Sequence, residues 1–178
     1  MASQDQAQKL IDELSSSHFV ELFRMYGVDL VPADEARIDG GVLLYCGIIG
    51  FSGEGIRGSM AVAGSDTLLR ASNPTPGVAT RDWVAEVANQ LMGHVKSRLL
   101  GYAVEVYMST PIVLRGERLA LEVRGVSQPR VFAAAGQVAA PAGQVALWVD
   151  VETTPDFHMS SEENTSLSGL DGGETLMF

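Results

Sequence analysis

The apolar positions of the chain follow two periods, one helical and one strand-like. Val84, Val87, Ala88, Leu91, Met92, Val95 and Leu99 are spaced so that, at about 100° per residue, they share one side of a helix. Asp82, Glu86, Asn89 and Gly93 form a second stripe on the opposite, outward side. The Thr80 hydroxyl is placed to cap the first turn, Asp82 stands near the positive end of the dipole, and Gly101 is placed to stop the helix. A similar spacing of Leu10, Leu14, Phe19, Leu22 and Phe23 predicts a first helix over Gln6 to Tyr26. Gly27 ends it, and Ser15-Ser16-Ser17 is its weak point.

Elsewhere the pattern alternates. Val28 to Val31 reads as a short strand closed by Pro32. Val42 to Phe51 and Ile56 to Ala63 flank Ser52-Gly53-Glu54-Gly55, a hairpin turn, with Gly50 and Gly58 marking bulges or close backbone approach. Ser65 to Ala71 reads as a short helix capped by Ser65, and Asn73-Pro74-Thr75-Pro76-Gly77 as the loop into the long helix. Beyond that helix, Val104 to Met108 alternates as a strand and Pro111 is expected to end one. Leu119 to Val126 follows an Arg115-Gly116-Glu117 turn, and Val131 to Val138 pairs with Val145 to Val151. The order predicts an α+β fold, an antiparallel β-sheet with two long helices on one side. Helix, glycine and valine-containing strand occur twice, a degenerate internal α-β repeat. Matching Gly27 to Gly101 puts Asp12 and Ser15 where the second copy has Glu86 and Asn89, so one site is expected rather than two.

Charge divides the chain. The net charge of the 178 residues is −10, and seven acids and no Lys or Arg lie from Asp150 onward, leaving about −3 for the rest. This argues against a nucleic-acid or anionic-membrane partner. Residues 1–152 are expected to form one domain and 153–178 an acidic C-terminal tail, disordered from about Met159, whose apolar end Leu176-Met177-Phe178 could dock in a groove. Cys46, the single cysteine, lies in an apolar run and reads as a core residue of a reduced compartment. One Cys and three scattered His build no structural zinc site. The first residues lack the pattern of a secretory signal, and Val131 to Val149 is too interrupted to span a bilayer, so a soluble, cytoplasmic protein is expected.

The outward stripe carries the candidate chemistry. Glu86 and Asn89 stand roughly 4.5 Å apart along the axis on nearly one azimuth, so a single small object could touch both. Gly93 continues the line at a cost of about 1 kcal/mol against alanine, which fits either close approach of another backbone or a tolerated surface glycine. An outward Glu and Asn are equally ordinary on a solvated face. No Ser or Cys motif makes His18, His94 or His158 the base of a triad.

The run Asp82-x3-Glu86-x2-Asn89, with Pro111 after 21 further residues, resembles the signature of the CheC/CheX/FliY chemotaxis phosphatases. The flanks Gly93, Lys96, Leu100-Gly101, Pro111-Ile112-Val113-Leu114 and Gly116 resemble the CheX branch, and the likeness spans residues 8–152. It implies a CheC-like fold, a homodimer, and an enzyme that hydrolyses the aspartyl phosphate of a CheY-like response regulator. Asn89 would then position the attacking water and Glu86 would pair with the receiver's lysine. Asp82, Gly93 and Lys96 would contact the partner, although Asp82 also suits a helix start and Lys96 a solvated face. No metal or cofactor is expected on this chain, since the Mg²⁺ of such a reaction belongs to the receiver. A receiver-binding or adaptor module without catalysis is the alternative.

Overall fold

The structure, a computed structural model, describes residues 4–33, 43–117, 119, 128–135 and 143–166. Strands β2 (Leu44–Gly53) and β3 (Ile56–Ser65) form a hairpin across Glu54-Gly55. On one side β3 pairs with β7 (Gln144–Thr153), β7 with β6 (Arg130–Ala134), and β6 with β1 (Leu30–Pro32). On the other, β2 pairs with β4 (Val106–Met108) and β5 (Ile112–Gly116). All pairings are antiparallel, in the order β1-β6-β7-β3-β2-β4 with β5 also on β2. Because side chains alternate across a strand, Tyr45, Ile49, Phe51, Met60, Val62, Val145, Leu147 and Val149 all enter one core. Two 22-residue helices cover that face, α1 (Gln4–Met25) mainly over β7 and α3 (Thr80–Gly101) mainly over β2.

With β1, β6 and β7 matched to β4, β2 and β3, the strand order is symmetric about the β7–β3 pair, so the expected repeat is present, but in a different register. Tyr26, Gly27 and Val28 donate backbone N–H groups to Phe23, Arg24 and Phe23 carbonyls; Tyr102, Ala103 and Val104 donate to Leu99, Leu100 and Leu99. Gly27 and Ala103 both take positive φ, 78° and 59°. β1 and β4 start two residues after Val28 and Val104. Gly27 therefore matches Ala103 and not Gly101, a shift of 76. The residues matching Glu86 and Asn89 are then Leu10 and Glu13 instead of Asp12 and Ser15. The glycine pairing misleads because the left-handed position of the second copy is filled by alanine, at a conformational cost its tertiary bonds must offset.

Other expectations change for local reasons. Ser15-Ser16-Ser17 does not interrupt α1: the buried Ser15 hydroxyl donates to Ile11 O at 2.5 Å inside the helix. Thr80 is no cap; Ala79 holds that place without a side-chain bond, and the Thr80 hydroxyl donates instead to Asp66 Oδ1 at 2.7 Å. Ser65 caps α2 (Asp66–Ala71) as expected, accepting from Leu68 N–H at 3.2 Å. Gly50 and Gly58 mark no bulge, since the β2–β3 ladder runs unbroken from Leu44 opposite Ser65 to Gly53 opposite Ile56. The other expectation, close backbone approach, holds at Gly58, which Asp150 O and the Phe51 ring cover.

Pro111 does not end β4 but immediately precedes β5, a strand the sequence pattern does not reveal. In the gap between the two, Ser109 accepts from Gly50 N–H and donates its own N–H to Gly50 O, both at 2.9 Å. A residue without an N–H thus sits where no ladder bond is required. Of the predicted strand Leu119 to Val126, all but Leu119 lies outside the described residues, as do 136–138 of Val131 to Val138.

Candidate functional site

α3 is held firmly along its inward stripe. Val84, Val87, Ala88, Leu91, Met92, Val95 and Leu99 are all at most 1% exposed, as their spacing requires. Beneath the first turns the helix rests on β2 at Gly47, where a Cβ would come within 2.9 Å of Val84 O. Its start is tied to α2 by the Thr80–Asp66 bond and by the Trp83 indole N–H, which donates to Ser72 Oγ at 3.0 Å. Its end is clasped by the C-terminal segment. Arg98 makes two bonds to the Glu163 carboxylate at 2.6 and 2.7 Å, and Asn164 N–H reaches Gly101 O at 2.8 Å. Phe157 is buried in the core, and Ser160, Glu163 and Asn164 are bonded to the end of α3, a placement the polar composition of this segment does not signal; 167–178 lie outside the described residues.

On this rigid support the structure brings the five candidate residues to one side of one helix. Glu86 and Asp82 are exposed, and Asn89, Gly93 and Lys96 are half-buried. Asp82 Oδ1 receives a 3.0 Å contact from Arg81 Nε; both side chains are more than half exposed, so the pair contributes little to stability. A Cβ built on Gly93 meets nothing within 4 Å, so no other backbone of the described chain explains the glycine. Among the described residues, no hydrogen bond involves the Asn89 side chain. Its amide can therefore both donate to and accept from an incoming group.

Glu86 is held by a residue one turn further along its own helix. Its Oε1 accepts from Gln90 Nε2 at 2.7 Å, and Gln90 Oε1 accepts from the Tyr26 hydroxyl at 2.7 Å. Tyr26 in turn packs edge-on against Trp83, ring centroids 4.7 Å apart. The i,i+4 spacing of Glu86 and Gln90 was a readable signal for the first bond. Nothing local announced Tyr26, 64 residues from Gln90.

Rival chemistries find no support. Burial pushes the Cys46 thiol up to about 12, so it is no nucleophile near neutral pH. His18 and His94, which match under the repeat, stack face to face between α1 and α3 at 3.5 Å and 6°. Burial lowers both, His94 to about 4, with the neighbouring His18 and Arg98 adding to that shift. They clasp two helices as neutral rings. Among the described residues no group of three or more His, Cys, Asp or Glu could hold a metal ion, and no helix is long and apolar enough to cross a membrane. A cleft of about 590 Å³ lined by Glu54, Glu105, Tyr107, Asp156 and His158 includes none of the five candidates.

A family model described as chemotaxis phosphatase CheX matches residues 45–134, half of the 178-residue chain. No curated protein sequence matches. Among solved structures, chemotaxis protein CheX from Vibrio vulnificus superimposes with a TM-score of 0.64 at 20% identity, covering 80% of this chain and 96% of that one. A CheC-like superfamily protein from Shewanella sp. PV-4 gives 0.62 at 21%, covering 80% and 97%. The CheX-CheY-BeF3-Mg²⁺ complex from Borrelia burgdorferi gives 0.53 at 15%, covering 80% and 95%. At these identities the structures establish the fold, which is that of a CheC-like α+β protein. Within that class, the chain belongs to the CheX family of chemotaxis phosphatases.

Proposed function

We propose that this chain hydrolyses the aspartyl phosphate of a CheY-like response regulator, with α3 as the docking helix. The observation that carries the reading is the placement of Glu86 and Asn89: two polar groups three residues apart, reaching solvent from a helix whose other side is fully buried. An acyl phosphate is already activated and its transition state is loose, so a positioned water and electrostatic complementarity suffice where a strong base would be superfluous. In this reading the Asn89 amide enters the receiver's site, donating to a phosphoryl oxygen and accepting from the water aligned opposite the leaving carboxylate. Glu86 pairs with the receiver's lysine and fixes the depth of entry. Charge on the transferring group would be neutralised by a Mg²⁺ held on the receiver and not by this chain. Asp82, Gly93 and Lys96 border the same surface and contact the partner around the pair.

The relative solved with CheY bound supports a partner of this class. The family resemblance also implies a symmetric homodimer, and Tyr107 and Ile112, 67% and 64% exposed on β4 and β5, offer a sheet edge that a second copy could cover. Sedimentation reads this directly, a monomer at micromolar concentration excluding it. For the activity, a phosphorylated CheY-like receiver is mixed with the protein and phosphate release is followed. Accelerated release that Asn89→Ala abolishes supports the reading. Binding without acceleration identifies a non-catalytic receiver-binding module.

A further inference from the structure

Glu86 is one end of a hydrogen-bonded chain that begins on the other long helix. The Tyr26 hydroxyl donates to Gln90 Oε1 and Gln90 Nε2 donates to Glu86 Oε1, each at 2.7 Å. Tyr26 is fixed by its edge-on contact with Trp83, whose indole N–H is anchored on Ser72. Only Oε1 is engaged; among the described residues nothing donates to Oε2. A carboxylate has capacity for further donors, so the chain leaves the outer oxygen available to a cation.

The repeat supplies a control within the molecule. At the shift of 76, Tyr26 matches Tyr102 and Gln90 matches Leu14, while Glu86 matches Leu10. Both copies keep the tyrosine at the helix end. Only the copy carrying the glutamate has a polar residue between them, so the chain accompanies the carboxylate and is not a general feature of the helix pairing.

We propose that Tyr26 and Gln90 are positioning residues, which hold the Glu86 carboxylate in one orientation before the receiver arrives and so reduce the rotamer freedom lost on binding its lysine. This inference rests on the receiver-phosphatase reading above. Gln90 bonds through an amide, which keeps its geometry across physiological pH, and Tyr26 imports that geometry from the core into an exposed side chain.

The test is a double-mutant cycle on dephosphorylation of a phosphorylated CheY-like receiver. Tyr26→Phe keeps the ring against Trp83 and removes only the hydroxyl; Gln90→Leu copies the residue of the first repeat. Each is expected to raise KM for the receiver roughly three- to tenfold, the worth of one hydrogen bond, with kcat unchanged because Asn89 is untouched. In a Glu86→Ala background neither should change KM further. An unchanged KM, a fall in kcat alone, or an equal rise in KM in both backgrounds overturns the positioning role, the last identifying a structural effect. If Glu86→Ala itself leaves KM at the wild-type value, the lysine-pairing reading fails and this inference with it. If Glu86→Ala raises KM while both other variants are neutral, the inference alone fails.

Discussion

Helices α1 and α3 each run for 22 residues over the same face of the sheet, and each ends in a Tyr-x-Val turn with matching backbone bonds. Three inward positions keep the same burial: Ile11 matches Val87, Phe19 matches Val95, Phe23 matches Leu99, and all six are at most 1% exposed. They part company on the outward side. Where α3 exposes Glu86, α1 has Leu10, packed in part against the core; where α3 has Asn89, α1 has Glu13, which lies 3.9 Å from Lys9 on the surface. The scaffold and the chemistry are thus separable. Burial of one stripe fixes a helix in place, and the other stripe is free to differ between the copies.

The largest expected effect contrasts the two copies directly. Asn89→Ala should lower phosphate release from a phosphorylated receiver by about 100-fold, the usual scale for losing a donor to a developing negative charge. Glu13→Ala, its match on α1, should change nothing. Loss of activity in both variants, or in neither, would break the comparison.

The two copies meet at His18 and His94, and acid should loosen that junction. The rings carry Glu21 3.5 Å from His18 Nδ1, and Arg98 and Glu163 near His94. Their folded pKa values lie below the usual 6.5, so the unfolded chain binds more protons between about pH 6.5 and 4. The contribution is fully present above 6.5 and is lost as pH falls toward the folded value. Allowing for partial exposure, about 2 kcal/mol should disappear over that window. Urea titrations at successive pH values measure it, and His94→Gln should flatten the pH dependence.

Transplanting the pair sharpens the contrast. Leu10→Glu with Glu13→Asn gives α1 the outward residues of α3. The double variant should lose about 1–2 kcal/mol, because a carboxylate replaces a partly packed leucine. Turnover should not rise, since Leu14 stands where Gln90 would orient the new carboxylate. Chemical denaturation and the phosphate assay read the two halves of that statement.

The smallest effect concerns Gly93, which matches Ser17. A methyl there meets nothing within 4 Å, so Gly93→Ala should stabilise the protein by about 0.5–1 kcal/mol. Weaker receiver binding in that variant would assign the glycine to close approach of the partner, whereas unchanged binding would leave it an ordinary surface residue.

What could be read in the sequence was whatever a local period encodes. The inward stripe of α3, the β2–β3 hairpin, the Ser65 cap and the outward placement of Glu86 and Asn89 all follow from side-chain spacing within one element. What could not be read depends on partners distant in the chain. Thr80 turns from its own helix to Asp66 because α2 lies beside it, and β5 becomes a strand because β2 offers an edge there. Gln8 on α1 donates to Val149 O and accepts from Val151 N–H, both at 2.9 Å, covering β7 beyond the end of β6. The Tyr26 link to Gln90 is of the same kind. Glycine is a poor marker of the repeat's register, because the second copy keeps the left-handed turn and fills it with Ala103.

Gly47 lies under α3 and so touches no partner, yet it sets the height at which the helix rides above β2. Any larger residue there would act as a shim, lifting the helix at Val84 by a fraction of an ångström and tipping its outer side. Glu86 and Asn89 would survive such a change intact while their angle of approach altered. Two relatives with identical motif residues could therefore present them at different angles because of a single atom beneath the helix.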